Sequence, residues 1–556
     1  MKSQQRTNLI AILLLTIGVQ ARSADHHPIG TVHVKLRDGV ALATSVTLPS
    51  DTSTPFPVIF LRTPYGKEAE TDARLHYTAS GYALVTQDCR GTGESEGAFE
   101  PYLHEKDDGY DALEWISNQP WCDGNVGMIG ASYEGQVQWL AAASAHPMLK
   151  TIIPQVSGTD PFLDVPYDHG ILKLSMIDWA YHMSHPGRAD PDYVWDRLFT
   201  LPITMIDDAF YGVDVPLWDQ WTRMDDPADW MKARFLDDMA QVDIPILYVS
   251  GNWDVEALST QLNWLKLRAF GKKHQHLLFG PWEHTAFLGT VPTTFSGVEH
   301  GAASRLDFED IWLAWFDRWL KGKDNGVDLE EPVQFFITGR NEWAFLEDWP
   351  SSTYRTRTYH LDLTNEQQRW YSLDTTIAAP ASAEYVYVPQ VVRLNMDPEF
   401  SETAYYARDT AAGNDLAMLS APFTRNTVLA GPAYVDLEFA LDQPDADVFV
   451  LIAEVDTAGR IRVLGHPGKM RAMFRDQKEL RPVVIGQNHK AKVDLFPFAH
   501  EFSKGSRLAV IVRSDWFPRY LRNSGTGQPI ATNTELRSVT VGITSASQLI
   551  LYELVE

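Results

Sequence analysis

The stretch Val126-Gly127-Met128-Ile129-Gly130-Ala131-Ser132-Tyr133-Glu134-Gly135 decides how this chain reads. Its first four residues form an apolar run of strand length, and an Ala-rich helical segment, Gln136 to Ala145, follows. A serine on a sharp strand-to-helix turn has the local context of a nucleophile elbow. Such a turn leaves little room near the backbone, hence the glycines around the serine. It exposes Ser132 at the C-terminal edge of a sheet, and the following helix aims backbone N–H groups at developing negative charge. The spacing is Gly-x-Ser-x-x-Gly instead of the commoner Gly-x-Ser-x-Gly, so by itself the motif also fits a plain turn serine.

Outward from this turn the pattern alternates. Thr31 to Leu36 and Ala41 to Leu48 read as strands around Asp38-Gly39, and Pro57 to Arg62 and Ala83 to Gln87 as short apolar strands. Asp107 to Asn118 has helical spacing, and Thr151 to Pro154 begins another strand. Apolar strands alternating with helices predict a parallel sheet covered on both faces. Residues 160–240, rich in Asp, Trp, Met and Tyr, break the rhythm with helical pieces at Ile171 to His182 and Asp229 to Ala240. They lie between core strands and read as an inserted helical cap. Pro245 to Ser250 and His276 to Phe279 resume the strand pattern, and Asp307 to Leu320 is an amphipathic helix. The polar segment Lys321 to Gly326 reads as a domain boundary. Beyond it come short strands with frequent turns, from Val333 to Thr338 through Leu549 to Leu554, which predict an all-β sandwich. The expected architecture is α/β, with a core in two parts (30–159 and 241–325), a cap (160–240) and a C-terminal β-sandwich (331–556). There is no internal repeat.

A nucleophilic serine needs a base, and the base needs an orienting carboxylate. In this kind of sheet the order is Ser, acid, His. The strand Pro245 to Ser250 runs into Gly251-Asn252-Trp253-Asp254, which puts Asp254 just past it. The strand His276 to Phe279 runs into Gly280-Pro281-Trp282-Glu283-His284, which puts His284 on the next loop. His274, His276 and His300 lack that context and read as ordinary packing or surface histidines.

Composition bounds the remaining classes. The 556 residues are 44% hydrophobic and 22% charged with 2 cysteines, which excludes a disordered chain, a collagen-like repeat and a disulfide scaffold. A net charge of −26 disfavours nucleic acid and anionic membranes as partners. Lys2 and Arg6, then the apolar run Leu9 to Val19, then Val19-Gln20-Ala21, read as a cleavable secretory signal over residues 1–21. The run is too short to span a bilayer at about 20 residues, so a mature periplasmic or secreted protein is expected. Cys89 ends one strand and Cys122 precedes another, opposite edges of a parallel sheet, so no disulfide is expected. Gly91-Thr92-Gly93 lacks a phosphate-loop lysine, and no His/Cys cluster has zinc spacing. Asp442, Asp445 and Asp447 read as a solvated strand edge in preference to a calcium site. No cofactor or metal is expected.

At this point the sequence resembles the cocaine esterase-type (CocE/NonD) hydrolases, relatives of the X-prolyl dipeptidyl aminopeptidases and α-amino acid ester hydrolases. The resemblance covers nearly all of the chain after the leader. It rests on Arg62-Thr63-Pro64-Tyr65-Gly66, Gln87 to Gly93 with Ser95-Glu96-Gly97, Gln119-Pro120-Trp121 and Ser132-Tyr133. It continues through Gly251 to Asp254, Gly280-Pro281-Trp282 with His284, Trp319 to Gly322, Phe517-Pro518-Arg519 and Asn523 to Gly527. It implies an α/β-hydrolase core, a helical cap and a C-terminal jelly roll. It implies Ser132, Asp254 and His284 as catalytic residues, with an oxyanion hole of the Tyr65 hydroxyl and the Tyr133 backbone N–H.

Ser132-Tyr133-Glu134-Gly135 is most similar to the α-amino acid ester hydrolases, which hold a substrate ammonium in three carboxylates. Glu256 matches one, Ala257 stands where a second is acidic, and Asp164 and Asp168 lie near the place of the third without aligning cleanly. A buried unpaired carboxylate is costly, so Glu256 needs a partner: a substrate ammonium or a cap Lys or Arg. The expected function is a serine hydrolase of small acyl esters or amides, including α-amino acid esters and β-lactam side-chain amides. X-prolyl dipeptidyl-peptidase activity is an alternative. A ligand-binding protein using the jelly roll over a vestigial core is another, and a homo-oligomer is compatible with either.

Overall fold

The protein is described by a computed structural model over residues 26–51, 53–189, 194–287, 291–377, 379–392, 405–406 and 413–555. The leader read over residues 1–21 lies outside the described residues. Strands β1 (His26–Lys35) and β2 (Ala41–Pro49) pair antiparallel. β3 (Phe56–Thr63), β4 (Ala83–Asp88), β5 (Cys122–Ala131) and β6 (Leu149–Gln155) follow, then β7 (Ile246–Trp253), β8 (Gln275–Glu283), β9 (Val333–Ile337) and β10 (Glu342–Leu346). They form one ten-stranded sheet in the order β1-β2-β4-β3-β5-β6-β7-β8-β9-β10. From β4 to β9 every neighbouring pair is parallel.

Successive residues explain why these strands are apolar throughout. Val58, Phe60, Val126, Met128 and Ile152 face one core, while Ile59, Leu61, Ile129 and Ile153 face another. Helices α1 (Lys67–Arg74), α2 (Glu105–Ser117), α3 (Tyr133–Ala143), α4 (Met176–Ser184), α5 (Ile206–Tyr211), α6 (Pro216–Arg223), α7 (Ala257–Ala269) and α8 (Phe308–Lys321) complete the α/β part. α3 is buried at every position and covers the first face with Trp139 and Leu140. α8 covers the second with Trp312, Trp315 and Phe316. The segment 160–240, read as a cap, contains α4 to α6. The segment read as helical from Ile171 begins instead with a two-residue strand, Ile171–Leu172, paired with Tyr167–Asp168, and the Asp229 region is a 3₁₀ turn, Pro227–Ala233.

One strand assignment is corrected. Val333–Ile337, expected in the C-terminal sandwich, pairs parallel with β8 (Leu277 opposite Val333), and Glu342–Leu346 closes the same sheet. The polar segment after Lys321 is therefore the loop of a β8-α8-β9 crossover, stopped by Gly322 in the left-handed conformation (φ 66°). All five residues of β9 are buried, which is the signature of a central parallel strand and not of a half-exposed sandwich strand. The core thus runs to Leu346, and the sandwich begins at Tyr354–Gln367, which pairs antiparallel with the last strand, Gln548–Leu554.

The sandwich has its own apolar core, with Leu361, Val435, Val450, Val510 and Leu549. It docks on the cap through Arg471 N–H to His169 O, Ser175 N–H to Arg519 O and Leu521 N–H to Leu172 O. The acidic strand edge is solvated only at Asp442, which is exposed; Asp445 and Asp447 are buried, and Asp445 accepts from Arg471 at 2.8 Å. Asn523 donates to both carboxylates. Cys89, at the end of β4, and Cys122, at the start of β5, are free thiols.

Gly127, on β5, lies directly under α8. A Cβ there would lie 2.7 Å from the Phe316 ring and 3.0 Å from Leu320. Gly127→Ala is expected to destabilise the chain by about 1–3 kcal/mol through overpacking, measured as a lower Tm. An unchanged Tm would show that α8 shifts without cost.

Candidate active site

Ser132 joins β5 to α3 with φ 59° and ψ −122°, a region sparsely populated by residues with a side chain. Two glycines permit the turn. A Cβ on Gly130 (φ 150°) would meet Glu134 at 2.4 Å, and one on Gly135 would meet Ser157 at 2.8 Å. The Ser132 N–H donates to Gln155 O on β6 at 3.0 Å, which ties the turn to the neighbouring strand. The N–H groups of the first turn of α3 have no acceptor within the helix.

Asp254 follows β7 and is fully buried. Its Oδ1 meets His284 Nδ1 at 2.7 Å and accepts the Glu256 N–H at 3.1 Å. Its Oδ2 accepts the Ser250 hydroxyl at 2.5 Å. His284 follows β8 and is partly open to the cleft. The contact on Nδ1 fixes the ring and leaves Nε2 for other work. His276, within β8, is instead buried against Trp315, and burial pushes it down to about 4. His300 is likewise buried and pushed down to about 4.

Ser132, His284 and Tyr65 line one open cavity of about 1250 Å³, walled by aromatic residues including Trp179, Phe287, Phe308 and Trp312. Tyr65 sits two residues past β3, and its N–H donates to Thr63 Oγ1 at 3.1 Å. Its hydroxyl accepts the Trp179 indole N–H from α4 at 3.2 Å. Burial raises the hydroxyl's pKa despite hydrogen bonding from Trp179 and Ser132, so it remains a protonated donor. The Tyr133 side chain points away. Its hydroxyl donates to Glu105 at 2.8 Å and accepts the Tyr102 N–H at 3.2 Å, and its ring stacks on Tyr102. Tyr133 can therefore offer the cavity only its backbone.

The three carboxylates Asp164, Asp168 and Glu256 do come together, and two lysines lie among them. Lys173 Nζ is 2.7 Å from Asp164, 3.6 Å from Asp168 and 3.6 Å from Glu256. Lys469, from the sandwich, is 2.5 Å from Asp168, which also accepts the Tyr520 hydroxyl at 2.8 Å. All five charged residues are at most 5% exposed. Burial and the charge of Asp164 push the Glu256 carboxyl up. Burial acts on Asp164 in the same sense, but Lys173 outweighs it and holds Asp164 low. Each of the three carboxylates thus already has a lysine within 3.6 Å, and Asp168 also meets His169 Nδ1 at 2.9 Å. Sequence reasoning anticipates a cap Lys or Arg for Glu256, and Lys173 takes that place; it has no signal for Lys469, which is 301 positions from Asp168.

Glu134 is a further member of the cavity wall. It is buried, with Arg74 4.0 Å away and shared with Glu70. Burial and the Glu70 charge push its carboxyl up to about 7.

Two families match the chain. X-Pro dipeptidyl-peptidase (S15 family) covers residues 38–286, and the X-Pro dipeptidyl-peptidase C-terminal non-catalytic domain covers residues 325–550. The cocaine esterase of Rhodococcus sp. (strain MB1 Bresler) is 27% identical over 547 residues, spanning 90% of this chain and 93% of that protein. Among solved structures, an α-amino acid ester hydrolase superposes with a TM-score of 0.79 at 21% identity, covering 97% of this chain and 98% of the other. A CocE/NonD family hydrolase from Staphylococcus aureus gives 0.68 at 17% identity, covering 95% and 93%. Both likenesses concern the fold.

Glu134 makes stability depend on pH in a fixed direction. Its folded pKa lies above its unfolded value, so between about 4.5 and 7 the unfolded chain releases a proton that the folded chain keeps. Stability falls as pH rises through that window, and the loss is constant above it. Glu134→Gln is therefore expected to gain Tm relative to the wild type on going from pH 5 to pH 8. A Tm difference that is flat or falls over that range would contradict this assignment.

Proposed function

From a chain that belongs to the CocE/NonD, X-Pro dipeptidyl-peptidase-like family of serine hydrolases, we propose that Ser132 is the nucleophile for esters and amides whose acyl group carries no α-ammonium. The observation that carries the site assignment is the convergence of Ser132, His284 and Tyr65 on one cavity, with Asp254 bonded to His284 from behind.

In this reading His284 Nε2 takes the Ser132 proton as Oγ attacks the substrate carbonyl carbon. The carbonyl oxygen gains the negative charge and is held by the Tyr65 O–H and the Tyr133 N–H. The C–O or C–N bond to the leaving group breaks as His284 returns the proton to that group, leaving Ser132 acylated. Water then enters, gives a proton to His284 and bonds through its oxygen to the acyl carbon, and the acyl C–Oγ bond breaks as His284 returns the proton to Ser132 Oγ. Asp254 keeps the ring oriented and offsets the charge of the imidazolium.

The acyl preference rests on the lysines. An α-amino acid ester or a free peptide N-terminus presents an ammonium that needs uncompensated carboxylate. Asp164, Asp168 and Glu256 already hold Lys173 and Lys469. A third ammonium would be repelled there, whereas a neutral acyl group suits the aromatic wall. We also propose that the leader of residues 1–21 carries the enzyme out of the cytoplasm.

Ser132→Ala is expected to abolish turnover and acyl-enzyme formation. Tyr65→Phe is expected to lower kcat by about 10²–10³-fold, the usual effect of losing one oxyanion donor. For substrate class, kcat/KM for phenylalanine methyl ester should be no greater than for methyl 3-phenylpropanoate. A tenfold preference for the amino ester, about 1.4 kcal/mol of transition-state binding, would overturn the neutral-acyl assignment while leaving the nucleophile intact.

A further inference from the structure

The cap holds a group of acidic side chains that the hydrolytic reaction does not use. Asp207 and Asp208 occupy the first turn of α5. Gly212, left-handed at φ 70°, ends that helix and turns the chain back so that Asp214 returns to them. One carboxylate oxygen from each of the three lies within 4.8 Å of the others. Asp208 and Asp214 are exposed, whereas Asp207 is only 1% exposed.

Asp207 is the informative residue. Its Oδ2 accepts the Val215 N–H at 2.6 Å. Its Oδ1 is buried and has no hydrogen-bond partner among the described residues. A buried carboxylate oxygen without a donor is costly, and a cation held between the three carboxylates would satisfy it.

We propose that Asp207, Asp208 and Asp214 form a calcium site in the cap. The donors are all hard oxygens, which excludes the thiolate and imidazole preferences of zinc and copper. Calcium takes six to eight oxygens at about 2.3–2.6 Å in flexible geometry. Three come from these carboxylates, and the exposed flank leaves room for water. The ion would clamp α5 to the start of α6. Trp221 of α6 stacks on Trp179, with ring centroids 5.6 Å apart, and Trp179 donates to the Tyr65 hydroxyl. The site therefore braces the wall of the cleft without touching the reacting atoms.

The test is isothermal titration of CaCl2 into the EDTA-treated full-length protein at pH 7.5, with MgCl2 in parallel, alongside thermal denaturation. The comparison is Asp208→Asn/Asp214→Asn, which changes two exposed side chains and leaves the buried one in place. The expected result is saturable binding of one Ca²⁺ by the wild type, a Tm raised by about 2 °C or more at saturating calcium, and neither effect in the variant. The proposal is overturned if the wild type shows no saturable binding, if the variant binds calcium equally well, or if Mg²⁺ binds and Ca²⁺ does not. Because the binding signal needs no substrate, it is independent of the identity of the nucleophile.

Discussion

The turn at Ser132 is the constraint on which the rest of the arrangement depends. Its φ of 59° and ψ of −122° cannot be held by local sequence alone. It persists because β5 is locked between β3 and β6, because the Ser132 N–H is tied to Gln155, and because Gly130 and Gly135 let α3 pack against strand and loop at van der Waals distance. A turn this sharp places the serine hydroxyl and the helix N-terminal N–H groups on the same side. One strained residue thus aligns the proposed nucleophile with the proposed oxyanion donor, and the large buried core of α3 supplies the stability that holds the strain.

Behind the turn, buried charge fixes orientation. Arg62 on β3 is fully buried, 2.6 Å from Glu105, and also receives Gln87 as an acceptor at 2.9 Å. Glu105 in turn accepts the Tyr133 hydroxyl at 2.8 Å. Such pairs contribute little net stability after desolvation, but breaking one leaves an uncompensated charge. Their use here is geometric: Tyr133 is anchored by its ring and hydroxyl, so its backbone faces the cavity in one orientation. The Asp168, Lys469 and Tyr520 contacts work similarly on a larger scale, since they pin the C-terminal sandwich to the cap.

These two levels differ in how far they are legible in sequence. The strand-turn-helix around Ser132, and the strand-then-loop positions of Asp254 and His284, follow from local pattern, because a buried strand announces itself over five residues and its C-terminal end is next in the chain. Tyr65 needs the family resemblance, since nothing local distinguishes it from a packing tyrosine. The assignment of β9 misreads because the strand is too short to show its parallel partner, and a polar αβ loop has the composition of a linker. Asp445 and Asp447 misread for a related reason: an acidic strand end is normally solvated, and Arg471 and Asn523 reach them only through tertiary structure.

Charge pairing between distant segments is the part that local pattern does not carry, and in the proposed reading it sets specificity. A cluster of three carboxylates looks the same in sequence whether it is open or filled. Lys173 lies only five residues from Asp168 yet gives no sign of pointing inward, and Lys469 comes from another domain. Once both are in place, each of the three carboxylates has a lysine within 3.6 Å. Removing an ammonium from water to enter it would then cost solvation with no free charge to offset it. The same fold and the same nucleophile can therefore serve cationic or neutral acyl groups, depending on two lysines that leave the reacting atoms untouched.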